Sequence, residues 1–246
     1  MSRFDGASVL VTGGSRGIGR EIARTFAERG AALVAIGYLR SDRAAEKTAA
    51  ELRDLGAEPV LIRGNVASAR VADQVAELGP LNVLVHNAAT GVIRPAAEAD
   101  DKHFDWTMSA NARALISLAR VATPSMVSGA SIVAVSSLGS VRVLENYALV
   151  GASKAAVEAI VRYLAVELAP RGIRVNTVSA GLVDTDALDH FPDRKGMLRW
   201  ARERTPAGRL VAPADVAEAV AFLCSPAAEM IRGQTLVVDG GFSLPA

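Results

Sequence analysis

The sequence predicts an α/β protein with seven parallel strands in one doubly wound sheet and helices on both faces. Two observations support this fold. Short β-branched runs alternate with helical patterns along all 246 residues, and no linker, repeat or low-complexity segment interrupts that alternation. A chain of this length can bury one large core, so we expect a single domain over residues 1–246.

Helix-breaking and helix-capping residues indicate where the predicted elements begin and end. Pro124 stops the fourth helix, Pro170 and Gly172 end the fifth, and Pro213 begins the last, with Asp215 as a cap-like acid in its first turn. Strands are predicted at residues 8–12, 32–36, 59–62, 82–85, 131–135, 174–178 and 235–238. Helices are predicted at residues 17–29, 41–55, 68–77, 102–122, 147–168, 186–203 and 213–223.

Composition excludes several classes of function. Half the residues are hydrophobic and the net charge is +1, which does not suit nucleic-acid binding, and no window approaches the length of an apolar membrane span. Residues 1–6 are too short and polar for a secretory signal, so we expect a cytoplasmic protein. Cys224 lies in an apolar helical pattern that predicts a buried, inert thiol. His86, His103 and His190 lack ligand-like spacing, so no metal site is expected.

A glycine-rich turn follows the first strand and opens the first helix. Residues 12–19 read TGGSRGIG, and glycines are needed where a pyrophosphate approaches backbone amides at a helix N-terminus. Its position in the first βαβ unit predicts a Rossmann-type dinucleotide site. The cofactor contacts assigned to this turn are Gly13, Ser15, Arg16, Gly17, Ile18 and Gly19.

The end of the second strand predicts NADPH rather than NADH. NAD sites usually carry an acid there, whereas this chain has Tyr38, Arg40 and Ser41, and Asp42 falls beyond the usual position. Arg40 and Arg16 would pair a 2′-phosphate. The alternative is that both arginines are solvated surface charges.

Tyr147 and Lys154 lie seven residues apart, a spacing that predicts an acid catalyst. An i,i+7 pair lies on one helical face, and a nearby ammonium is expected to lower the pKa of the phenol. The alternative for Tyr147 is simple aromatic packing at a helix start.

These motifs, together with NAA at residues 87–89 and Ser136-Ser137, resemble the short-chain dehydrogenase/reductase superfamily over essentially the whole chain. In that superfamily the tyrosine usually lies four residues before the lysine, in the motif YxxxK, but here Val150 occupies that position before Lys154. The resemblance implies that Asn111 and Ser137 complete the catalytic set. It further implies cofactor contacts at Asn65, Val66, Asn87, Ala88, Gly181, Val183 and Thr185. The chain departs from the usual pattern of the superfamily at three places. Asn65 replaces the usual aspartate, Ala89 replaces the usual glycine, and residues 180–185 lack the usual proline.

The displaced tyrosine bears on the substrate. Ketone reduction delivers hydride to the carbon that bears the oxygen, whereas 2-enoyl thioester reduction delivers it to C3 and collects charge on the thioester oxygen, further from the nicotinamide. Ser137 keeps its usual register with Lys154, so only the acid has moved. The enoyl-acyl-carrier-protein reductases of this superfamily show the same Tyr-x6-Lys arrangement, and the chain resembles their NADPH-dependent subtype.

This resemblance predicts reduction of the C2=C3 bond of a 2-enoyl thioester in fatty-acid or related acyl biosynthesis. It implies an acyl-carrier-protein partner, a homotetramer, and a substrate lid around residues 186–208 with Phe191, Met197, Leu198 and Trp200 over the acyl chain. Lys195, Arg199 and Arg202 form a basic stripe on which the carrier could dock, or a solvated helix face. Two other functions stay open, a 3-oxoacyl or ketone reductase (or alcohol dehydrogenase) of the same fold, and a catalytically silent NADPH-binding scaffold.

Overall fold

A computed structural model describes residues 3–185 and 193–244 of the chain. Its seven strands form one parallel sheet in the order β3-β2-β1-β4-β5-β6-β7. Because the strand order reverses at β1, whose neighbours are β2 and β4, a crevice opens outside the carboxyl ends of these strands. The predicted fold class is confirmed, and the crevice fixes where a site can lie.

All seven predicted strands are present, several with shifted ends. The strand bounds are β1 Ser8–Thr12, β2 Leu33–Tyr38, β3 Glu58–Arg63, β4 Leu81–His86, β5 Met126–Ser137, β6 Arg174–Ala180 and β7 Thr235–Val238. The largest difference is β5, which begins five residues before its predicted start. Met126 pairs with Leu81 ahead of an irregularity in register, and the polar, glycine-containing stretch before Ser131 concealed this extension.

The helices differ from prediction at three places. Their bounds are α1 Gly17–Glu28, α2 Asp42–Asp54, α3 Ala69–Ala76, α4 Asp101–Met108, α5 Ala114–Ala122, α6 Ala148–Glu167, α7 Arg194–Arg204 and α8 Pro213–Cys224. The helix predicted at residues 102–122 is broken by a π-helical turn, Ser109–Arg113. Tyr147 precedes α6 as its N-cap instead of starting it. The helix predicted at residues 186–203 begins only at Arg194, and residues 186–192 lie outside the described part of the chain.

The core has one apolar layer on each face of the sheet. On one face, β1 and β4 pack against α1 and α8 through Ile22, Phe26 and Val220. On the other, the sheet packs against α3, α5 and α6 through residues such as Leu115 and Val161. The crevice is therefore flanked by rigid elements on both sides. Within residues 3–185 and 193–244, no helix combines the length and apolar character needed to cross a bilayer.

Candidate active site

The glycine-rich turn lacks room for side chains where the chain folds back on itself. Gly13 has φ +67° and Gly17 has φ +54°, both in the left-handed region. A Cβ on Gly19 would lie 2.2 Å from the carbonyl oxygen of Gly13. In contrast, a Cβ on Gly17 would meet only the Thr185 side chain, at 3.5 Å. This open side of a helix N-terminus fits a dinucleotide pyrophosphate.

Asn87 ties the glycine turn to the end of β4. Its side-chain nitrogen donates to the carbonyl oxygens of Thr12 at 3.0 Å and Gly13 at 3.2 Å. The backbone N–H groups of Asn87 and Ala88 both donate to the Thr12 hydroxyl at 3.0 Å. Asn87 and Ala88 thus lie where the resemblance implied, and they also brace the turn.

Other residues of the turn are held from α2 and the core. Thr48 donates its hydroxyl hydrogen to the Ser15 carbonyl oxygen at 3.1 Å, and Ile18 packs against the core on the α1 side. Arg16 is the N-cap of α1. The turn is therefore a fixed scaffold rather than a loose loop.

The tip of β2 carries a polar network. The Tyr38 hydroxyl donates to Asp42 Oδ1 at 2.9 Å, and the Arg63 guanidinium lies 3.2 Å from Asp42 Oδ2. Tyr38 and Arg63 are register partners at the ends of β2 and β3. The carboxylate of Asp42 is thus directed to these two residues. Arg40 is exposed beside them, and the Ser41 hydroxyl caps α2 by accepting from the Ala44 N–H.

The remaining predicted cofactor residues line the same edge. Asn65 accepts through its side-chain oxygen from the Ala67 N–H at 3.0 Å, and Val66 packs against the α3 side of the core. Gly181 lies after β6, where a Cβ would be 2.9 Å from the Asp239 Cα, and Val183 is buried and pairs with Val211. Thr185 faces Gly17. The residues of this edge fit a dinucleotide.

Tyr147 is seated by glycines. A Cβ on Gly139 would lie 2.6 Å from Tyr147 Cδ1 and Cε1, so only glycine leaves room for the ring. Gly151 likewise allows close approach, since its Cβ would be 2.6 Å from the Gly139 carbonyl oxygen. The phenol oxygen lies 3.4 Å from Ser137 Oγ. This is long for a hydroxyl pair and is a separation that a bound substrate can tighten.

The sequence predicts a lowered pKa for Tyr147, whereas its pKa is raised in this structure. Burial raises the pKa of the Tyr147 phenol, and the Ser137 hydroxyl opposes that rise. Lys154 Nζ instead donates to the Val135 carbonyl oxygen at 2.7 Å. Burial lowers the pKa of Lys154 to about 8, and the charge of Glu158 opposes that fall. Because its pKa is raised, the phenol is neutral and able to donate a proton.

Asn111 lies in the π turn, fully buried. Its side-chain oxygen accepts from the Thr90 N–H at 2.8 Å, and its amide nitrogen donates to the Thr90 carbonyl at 2.8 Å and Ser153 Oγ at 2.9 Å. His86 Nε2 contacts its carbonyl oxygen at 2.8 Å. The His86 contact thus engages the backbone carbonyl of Asn111 within the π turn, and the other bonds engage its side chain. Asn111 therefore holds the loop after β4 against α6.

A cleft of about 320 Å³ lies directly beside Tyr147. Val143 is fully exposed at its rim, and Asn146 adopts a left-handed conformation with φ 59°. The residues that line the cleft are Pro95, Ala96, Gly139, Arg142, Val143, Leu144, Glu145, Asn146, Tyr147, Ala148, Gly151 and Ala152. The mixed apolar and polar wall suits a small acyl group with a polar carbonyl.

The predicted lid is described only in part. Phe191 lies outside the described residues, while Met197 and Leu198 are half-buried on α7. Trp200 is half-exposed, packs edge-on against Phe242 with ring centroids 5.3 Å apart, and lies under Arg204. Trp200 therefore joins α7 to the C-terminal segment.

Four residues of the site were missed from the sequence. Gly139 and Gly151 seat the tyrosine, Arg63 binds Asp42, and Glu158 acts on Lys154. Glu158 had a signal, since it falls one turn after Lys154 on an apolar helix face. The others depend on contacts between distant segments.

Two residues given no function have clear environments. Burial raises the pKa of the Cys224 thiol to about 12, so it stays protonated, and burial lowers the pKa of His86 to about 4, so it stays neutral. No group of three His, Cys, Asp or Glu side chains in the described ranges is placed to hold a metal ion.

Comparison with known proteins gives matches along nearly the full chain. Residues 13–243 match a family described as enoyl-(acyl carrier protein) reductase. A 1-cyclohexenylcarbonyl-CoA reductase of Streptomyces collinus is 40% identical over 244 residues, covering 96% of this chain and 87% of that protein. A tropinone reductase homolog of Arabidopsis thaliana is 35% identical over 250 residues, covering 97% and 93%.

Solved structures agree with the fold. A short-chain dehydrogenase from Burkholderia cenocepacia in complex with NADP has a TM-score of 0.90 and 33% identity, covering 98% of this chain and 99% of that one. A blue fluorescent protein from a metagenomic library in complex with NADPH has a TM-score of 0.89 and 32% identity, with the same coverage.

Proposed function

The chain belongs to the short-chain dehydrogenase/reductase superfamily and, within it, to the family described as enoyl-(acyl carrier protein) reductase, and from this premise we propose that it reduces the C2=C3 bond of a 2-enoyl thioester with NADPH. The 1-cyclohexenylcarbonyl-CoA reductase to which it is similar is named for an unsaturated thioester substrate of this kind.

One observation carries the proposal: Tyr147 lines the cleft and lies beside Ser137, while Val150 occupies the usual position of the acid. Val150, four residues before Lys154, is buried, and its Cγ2 lies 2.3 Å from where a Gly91 Cβ would be. Val150 therefore packs closely against Gly91 in the loop after β4. The phenol instead enters the cleft beside Ser137, one helical turn earlier in the chain.

The residues of the cleft then have separate tasks. The bound cofactor would supply hydride to C3 of the substrate. The neutral phenol of Tyr147 would donate a proton to the thioester oxygen, on which charge collects, and the resulting enol would become the saturated thioester by gaining a proton at C2 and losing the one on oxygen. Ser137 orients the phenol, and Lys154 contributes a positive charge from α6. Asn111 keeps the loop that carries Thr90 and Gly91 in place.

The polar residues at the tip of β2 support NADPH over NADH. Arg40 and Arg63 supply guanidinium groups at this tip, Arg16 lies in the glycine-rich turn, and the carboxylate of Asp42 already accepts from Tyr38 and Arg63. An occupied carboxylate is a poor partner for ribose hydroxyls, whereas guanidinium groups suit a 2′-phosphate.

Partners follow from exposed surfaces. Lys195, Arg199 and Arg202 are exposed on α7, and none forms an ion pair with residues 3–185 or 193–244. Their free charge supports an acidic acyl carrier protein as the substrate donor. The exposed side chains of Phe104, Trp106 and Ile116 on α4 and α5 support assembly into a homotetramer.

A ketone reductase is the second candidate, favoured by the 35% identity to a tropinone reductase homolog. Separate assays of NADPH oxidation with crotonyl and acetoacetyl thioesters distinguish the two. We expect turnover of the crotonyl thioester. Turnover of acetoacetyl thioester alone would show a ketone reductase, and tight NADPH binding without turnover of either thioester, or of a broader carbonyl and enone panel, would favour a silent scaffold.

A further inference from the structure

Glu158 is a buried acid that none of the proposed steps uses. It is 8% exposed and lies one helical turn after Lys154, which is 6% exposed. Both belong to α6, so their side chains share one face of that helix. The two side chains are therefore neighbours along α6, and the charge of Glu158 acts on Lys154.

A fixed hydrogen bond holds the acid in place. Ser136, 3% exposed on β5, donates its hydroxyl hydrogen to Glu158 Oε1 at 2.6 Å. This is a short hydroxyl–carboxyl hydrogen bond. Because Ser136 directly precedes Ser137, the same strand end positions both the acid and a cleft hydroxyl.

The other groups around Lys154 carry no compensating charge. The Val135 carbonyl on β5 accepts from Nζ, His86 on β4 is neutral, and Tyr147 at the start of α6 is a neutral phenol. Within the described ranges, Glu158 is the carboxylate whose charge acts on Lys154. A buried ammonium needs such a charge, since desolvation favours the neutral amine.

We propose that Glu158 is a positioning residue that keeps Lys154 protonated in the working enzyme, through a buried Ser136–Glu158–Lys154 array. The inference rests on the proposed function only in that Lys154 acts as a cation at the cofactor edge.

Removal of the Glu158 charge should lower the pKa of Lys154. Burial already lowers the pKa of Lys154 to about 8, and Glu158 resists that fall. Removing the carboxylate lets the amine lose its proton at lower pH. The alkaline limb of the kcat/KM profile therefore moves to lower pH in Glu158→Gln, by about one unit, the low end of the effect of a neighbouring opposite charge.

The test is a pH profile of kcat/KM for wild type and Glu158→Gln. Glu167→Gln, an exposed site on the same helix, is the matched control and keeps the wild-type limb. Glu158→Asp retains the carboxylate and is expected to keep the limb near its wild-type position. A uniform loss of activity in Glu158→Gln with an unmoved limb would mean a merely structural role and would overturn the proposal.

A second variant and a second measurement cover the cases in which the first variant does not fold or neither thioester reacts. If Glu158→Gln fails to fold, as judged by urea unfolding, Glu158→Met is the second neutral variant, because its unbranched side chain has a similar volume and needs no polar partner. The profile uses whichever thioester is turned over, so failure of the enoyl proposal leaves it intact. If neither thioester reacts, the pH dependence of the NADPH dissociation constant takes its place, with the same shift expected and the same unmoved limb as the contrary result.

Discussion

The two ends of the candidate site differ in burial: the chemical end is the region around Tyr147, and the adenosine end is the region at the tips of β2 and β3. At the chemical end, Asn111, Lys154 and Glu158 are buried, and their polar groups have fixed protein partners. At the adenosine end, Asp42 and Arg63 are more than half exposed, and their ion pair can exchange with solvent or an arriving anion. The chemical end is thus preorganised for a reaction, while the adenosine end is adjustable for binding. Substitutions should cost far more at the first end than at the second.

The largest expected effect is at the acid. Tyr147→Phe removes the proton donor and keeps the ring against Gly139, so kcat should fall by about 10²- to 10⁴-fold while NADPH binding persists. Tyr163→Phe, exposed on the same helix, is the control. Steady-state kinetics and fluorescence titration of NADPH measure the two quantities, and an unchanged kcat would refute the assignment of the acid.

A pair of asparagines compares the ends through stability. Asn111→Ala leaves the Thr90 backbone groups and Ser153 without their partner, and should lower the free energy of unfolding by about 3 kcal/mol. Asn65→Ala at the adenosine end removes one exposed local bond and should cost about 0.5 kcal/mol. Urea unfolding measures both, and equal losses would contradict the contrast.

The smallest effect is expected in cofactor choice. Arg63→Gln removes an exposed cation and should weaken NADP⁺ binding by about fivefold with little change for NAD⁺. Asp42→Asn removes the competing carboxylate and should tighten NADP⁺ binding by a similar factor. Calorimetric titration of each variant with both nucleotides gives the ratios. A change shared equally by NADP⁺ and NAD⁺ would remove Arg63 from the 2′-phosphate site.

Local stereochemistry made much of this predictable. The glycine turn, the seven strands and the spacing from Tyr147 to Lys154 depend on neighbours in sequence, and the sheet and turn are where the pattern indicated. The sequence pattern did not indicate the π turn, in which Asn111 contacts Thr90 and Ser153, residues far away in the chain.

Contacts across strands explain the other differences. The direction of the Tyr147 pKa shift was wrong because burial, which depends on the surrounding tertiary structure, raises this pKa. Arg63 was missed because only the β2–β3 register brings it beside Tyr38 and Asp42. The catalytic and cofactor roles assigned to individual residues stay predictions until variants are measured.

The central claim is that the acid at Tyr147 serves a thioester oxygen rather than a ketone oxygen. A competition assay tests it most directly, with crotonyl and acetoacetyl thioesters present together at equal concentration and limiting NADPH. The product ratio then gives the ratio of the two kcat/KM values. We predict that butyryl thioester dominates; a product mixture dominated by 3-hydroxybutyryl thioester would contradict the account.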